Sequence, residues 1–76
     1  MPKIHPTAIV GQYVELEENV EVGAYSIIEG NVFIGRGTKI KNRVSIKGRV
    51  KIGEECRIYD GAVIGEEPLV KTARLW

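Results

Sequence analysis

The segment Ile34-Gly35-Arg36-Gly37-Thr38-Lys39-Ile40 holds two isoleucines six positions apart. Thr38, small and β-branched, stands two places before the second, and glycines occupy two of the positions between. Val22-Gly23-Ala24-Tyr25-Ser26-Ile27-Ile28 repeats the arrangement. Stepping outward by six from Ile34 gives Ile28, Val22, Leu16, Val10 and Ile4 on one side. On the other it gives Ile40, Ile46, Ile52, Ile58, Ile64 and Val70. All twelve positions are Ile, Val or Leu, which makes the hexad a true internal repeat.

A second column lies two residues before each aliphatic: Ala8, Val14, Val20, Ser26, Val32, Thr38, Val44, Val50, Cys56 and Ala62. Inward residues at i−2 and i, with a different residue between, define a three-residue strand of period two. The other three positions of each hexad carry turn chemistry. All nine glycines and the asparagines Asn19, Asn31 and Asn42 fall there, and these residue types tolerate positive φ. The pattern predicts short strands and sharp corners from about residue 4 to 67, stacked as a parallel β-solenoid. The glycine and β-branched content opposes helix, and a period of six gives no single helical stripe. A sandwich would need longer strands and less uniform spacing.

Composition narrows the function classes. The chain has 76 residues and a net charge of +1, so it holds one domain and no dedicated nucleic-acid or polybasic surface. The single cysteine, Cys56, excludes an internal disulfide framework, and one Cys with one His cannot build a structural zinc site. No apolar run is long enough to span a membrane, and the start, Met1-Pro2-Lys3-Ile4-His5-Pro6, lacks the apolar core of a signal peptide. With the free thiol, this gives a cytoplasmic expectation. At this size, stability is expected from regular architecture and oligomerisation.

These hexads resemble the hexapeptide-repeat acyltransferases, whose pattern is an aliphatic residue, often glycine next, then a small residue two places before the following aliphatic. Within that family, Ile4-His5-Pro6-Thr7-Ala8-Ile9-Val10, Asn19-Val20-Glu21-Val22-Gly23 and Ile52-Gly53-Glu54-Glu55-Cys56-Arg57-Ile58-Tyr59 are similar to the opening coils of the UDP-N-acetylglucosamine O-acyltransferases of lipid A synthesis. The likeness covers roughly residues 3–68. It implies a left-handed β-helix, a triangular prism with three hexads per coil, and hence about four coils at 4–21, 22–39, 40–57 and 58–75. It also implies a homotrimer about a threefold axis and acyl carrier protein as a partner. The likeness stops at Pro68, where a small inward residue belongs. No position here matches the family's substrate-contacting Asp or catalytic His, so no catalytic residue is assigned. The irregular tail, 68–76, is expected to fold Leu69, Val70, Leu75 and Trp76 over the last coil, unless two assemblies meet there end to end.

With three hexads per coil, residues 18 apart stack, and the middle residue of each strand points outward. One outer face reads Glu21, Lys39, Arg57 and is solvated. A second reads Glu15, Phe33, Lys51, Leu69. The third reads Ile9, Ile27, Ser45, Val63, an apolar stripe of the kind that marks an interface. Ile9, Ile27 and Val63, helped by Phe33 or Tyr25, are the expected interface residues.

Other candidates weigh less. His5 is a possible general base but reads as a corner residue. Cys56 sits in the small inward column and reads as packing. Asp60, Glu66 and Glu67 form an acidic cluster without a full ligand set, so no metal or cofactor is expected. Arg36, Lys41, Arg43, Lys47 and Arg49, with Lys39 and Arg57 nearby, form a basic belt. It either meets an acidic carrier or balances Glu15, Glu17, Glu18 and Glu21. The expected function is an N-terminal portion or short relative of an acyl-carrier-protein-dependent UDP-N-acetylglucosamine O-acyltransferase, inactive by itself. The alternatives are a non-enzymatic trimeric scaffold and a portion of a sugar O- or N-acetyltransferase using acetyl-CoA. A γ-class carbonic anhydrase would need three His ligands, and an ice-binding surface would show outward Thr ladders.

Overall fold

The computed structural model describes residues 1–65. The expectations for Glu66, Glu67, Pro68 and the capping tail lie outside the described residues. Among the described residues nine strands are present: β1 Lys3–Ile4, β2 Ile9–Val10, β3 Val14–Leu16, β4 Glu21–Val22, β5 Ile27–Ile34, β6 Lys39–Ile40, β7 Ser45–Ile52, β8 Arg57–Ile58 and β9 Val63–Ile64. The described residues contain no helix. One sheet runs β1-β4-β6-β8 and another β2-β5-β7-β9, with β3 also paired to β5. Every pairing is parallel.

The register is the 18-residue step: Ile4 pairs with Val22, Val22 with Ile40 and Ile40 with Ile58. The chain is therefore an all-β parallel β-solenoid of about three turns. A fourth turn begins at Ile58 and passes out of the described residues after Gly65. Identical register at every level lets Ile, Val and Leu stack on their own kind. The resulting core is Val20, Val22, Ile28, Val32, Ile34, Ile40, Val44, Ile46, Ile52 and Ile58. These are members of the two hexad columns, and burying each such side chain contributes roughly 1.5–3 kcal/mol.

The faces are held by N–H donors reaching the next coil, as in Lys3 to the Val20 carbonyl and His5 to the Val22 carbonyl. The corners reverse that direction. Gly37 donates to the Glu18 carbonyl, Arg43 to Ala24, Glu55 to Arg36 and Gly61 to Asn42. All four donors have positive φ, between 53° and 77°. The left-handed conformation turns these corner N–H groups back along the solenoid axis, so the corners join the ladder.

Two details differ from the sequence-based expectation. Positive φ at the non-glycine corners falls on Tyr25, Arg43 and Glu55 as well as Asn19, and not on Asn31 or Asn42. The ladder bond at Arg43 and Glu55, and the Tyr25 N–H bond to Thr7 Oγ1, offset a conformational cost of about 1–2 kcal/mol for a residue bearing a Cβ. The second corner, moreover, is no break between three-residue strands. In the middle coils, β5 and β7 run eight residues straight through it. Gly30 and Gly48, at φ 97° and 93°, bend the chain there while remaining paired with each other.

Candidate functional site: an apolar face and its flanking corner

The period-two geometry puts residues 9, 27, 45 and 63 at the outward centre of one face. The register aligns Ile9 with Ile27, Ile27 with Ser45 and Ser45 with Val63. Ile9 is 55% exposed and Val63 61%, while Ile27 and Ser45 are half-buried between their neighbours. The exposed ring of Tyr25 lies at the corner that leads into this face. The structure thus brings Ile9, Ile27 and Val63 into one column. Phe33 stands on the adjacent face, paired with Glu15 and Lys51. The Lys51 ammonium lies 5.9 Å from the centre of the Phe33 ring, a cation–π contact.

The third face is charged. Lys3, Glu21, Lys39 and Arg57 share one column. Lys39 Nζ reaches Glu21 Oε2 at 3.2 Å.

His5 occupies the corner between the charged and apolar faces. The Thr7 backbone N–H donates to His5 Nδ1 at 3.1 Å, so the ring proton sits on Nε2. The Tyr25 N–H donates to Thr7 Oγ1 at 2.9 Å, and Thr7 Oγ1 lies 2.9 Å from His5 Nδ1. A hydroxyl beside an imidazole is the contact that activates a nucleophile. Here both groups are spent on the corner: Thr7 anchors the next coil through Tyr25, and among the described residues no acid orients the imidazole from Nε2. The same corner continues downward through side-chain acceptors. Asn42 Oδ1 accepts the Ala24 N–H at 2.9 Å, and Asp60 Oδ1 accepts the Asn42 N–H at 3.0 Å.

Cys56 is half-buried and its Sγ lies 3.7 Å from the Glu54 carbonyl oxygen. Its N–H donates to Thr38 Oγ1 at 3.1 Å, which keeps it within the wall. Asp60 also pairs loosely with Arg43, and Arg36 with Glu54, each at 3.9 Å. Among the described residues, no group of three His, Cys, Asp or Glu side chains could hold a metal ion. No helix there is long and apolar enough to cross a membrane.

Two buried hydroxyls were legible in the sequence only as small inward residues. Ser26 Oγ donates to the Lys41 carbonyl at 2.8 Å and accepts the Val44 N–H at 3.1 Å. Thr38 Oγ1 donates to the Gly53 carbonyl at 2.8 Å while accepting from Cys56. Each ties a corner of its own coil to the coil that follows. A hydroxyl in an otherwise apolar column is the signal for this role.

The fold and repeat define a class first: a parallel β-solenoid built from hexads, three to a turn. Residues 31–66 match the family described as bacterial transferase hexapeptide (six repeats), so this stretch carries that family's repeat. No curated protein matches the chain.

Proposed function

We propose that these coils are the self-associating scaffold of a hexapeptide-repeat acyltransferase. Three copies pack about a threefold axis through the face centred on Ile9, Ile27 and Val63. The observation that carries this reading is the in-register apolar column on a face otherwise free to be solvated. Solvated sheet faces normally alternate to polar residues on the outside. A flat β-solenoid wall also presents the column in one plane, which suits a second flat wall. Tyr25 flanks it as a larger apolar group, while Phe33 lies on the adjacent face.

The resemblance of Ile4-His5-Pro6-Thr7-Ala8 and of the coil from Ile52 to Tyr59 supports the branch that moves an acyl chain from acyl carrier protein to UDP-N-acetylglucosamine in the cytoplasm. A sugar acetyltransferase using acetyl-CoA is the alternative within the same class. The corner role of His5 favours chemistry carried out by residues other than these, and a purely structural scaffold shares that property.

The test is substitution of Ile9 and Val63 by Asp in one chain. Both side chains are exposed, so the core is untouched. Retained β-sheet circular dichroism with loss of the oligomer supports the reading, and an unchanged oligomer contradicts it.

A further inference from the structure

An open groove of about 630 Å³ runs along the edge between the charged face and the His5 corner. Its polar lining comes from Lys3, His5, Glu21, Lys41 and Asn42, with Ile4 among its apolar residues. Hydrogen bonds already described fix what these polar groups can offer. His5 Nδ1 is occupied by the Thr7 N–H, so the imidazole presents only its Nε2–H. Asn42 Oδ1 is occupied by the Ala24 N–H, so the side chain has only its NH₂ group left to give. Lys3 and Lys41 carry ammonium groups, and neither has an ion-pair partner among the described residues. The one carboxylate, Glu21, is paired with Lys39.

The groove is therefore a set of donors and cations whose only anion is already neutralised. We propose that it binds the phosphoryl group of a small phosphomonoester. Donors from four side chains on two faces of an edge suit a tetrahedral group with three terminal oxygens better than a planar carboxylate with two. Charge-assisted hydrogen bonds to phosphate oxygens supply the affinity. The apolar residues of the groove, Ile4 among them, take the short organic body of the ester. The proposal does not rest on how copies of the chain associate.

The test is a titration of the full chain with methyl phosphate, followed by the ring resonances of His5 and the amide resonances of Gly23, Ala24 and Asn42. Acetate serves as the comparison. Saturable shifts confined to these residues, with a dissociation constant on the order of millimolar and weaker binding of acetate, are expected. Lys41→Met should weaken binding about tenfold, the effect of one charge-assisted contact. Asn42→Asp keeps an acceptor for the Ala24 N–H but replaces the outward donor by an anion, and it should abolish binding. Arg49→Met, on the basic belt away from the groove, should bind as the unaltered chain does. Shifts spread over the surface lysines and arginines, equal binding of acetate, or full binding by Asn42→Asp would each overturn the proposal. Unchanged amide spectra of the free variants separate loss of binding from loss of fold.

Discussion

Ser26 Oγ accepts the backbone N–H of Val44, one coil further on, at 3.1 Å. Both residues are buried, at 0% and 1% exposure, so water cannot replace this bond. The same oxygen donates its proton to the Lys41 carbonyl. Ser26→Ala leaves the Val44 N–H without a partner in an apolar wall. It should cost about 1–3 kcal/mol, measured as a lower denaturation midpoint in urea with an unchanged slope. An unaltered midpoint would show that the bridge contributes nothing.

The glycines are not equivalent. At Gly30 an added Cβ would lie 2.5 Å from the Gly48 carbonyl oxygen, and φ is 97°. Gly30→Ala therefore meets both a backbone clash and a strained dihedral, and should destabilise by roughly 2 kcal/mol or more. Gly61 has φ 77° with open space around it, so Gly61→Ala should cost only the dihedral term, about 1 kcal/mol. Gly53 has neither restriction, and Gly53→Ala should be neutral or stabilise by about 0.4–1 kcal/mol through the unfolded chain. Thermal melts of the three variants should fall in that order, and any other order contradicts the corner geometry.

On the charged face, Lys39 and Glu21 are 40% and 47% exposed at their side chains. Solvent screens such a pair, and Lys39→Met should change stability by no more than about 1 kcal/mol. The difference should shrink further in high salt. A larger, salt-insensitive loss would mean that this column stabilises the coils by more than a surface ion pair can.

Much of the solenoid is legible in the residues themselves because its period is strict. From residue 4 to 65 each inward position is filled by Ile, Val, Leu or a small residue, so once three hexads are taken per turn, as the family resemblance implies, the columns Ile4–Val22–Ile40–Ile58 and Val10–Ile28–Ile46–Ile64 can be written down before any coordinates. The outward column of Ile9, Ile27 and Val63 follows from the same arithmetic. The number of hexads per turn does not, since period six alone is compatible with other cross-sections. The corners were harder to foresee. Arg43 and Glu55 adopt positive φ against their own preference because the ladder bond to the preceding coil selects it, and Tyr25 does so with its N–H on Thr7 Oγ1. Local propensity cannot reveal a partner 19 residues away. The eight-residue strands through Gly30 and Gly48 escape for a related reason: glycine signals a bend without saying whether pairing continues across it. The donor-only character of His5 and Asn42 also depends on contacts, through Thr7 and Ala24, that sequence spacing does not show.

The central claim is that the apolar face carries a threefold assembly, and its most direct test is sedimentation equilibrium of the chain over a wide range of concentrations. The account predicts a species of three times the 8.4 kDa chain mass, converted to single chains by Asp at positions 9 and 63. A single-chain mass at the highest concentration would contradict it, leaving Ile9, Ile27 and Val63 as a face for some other partner.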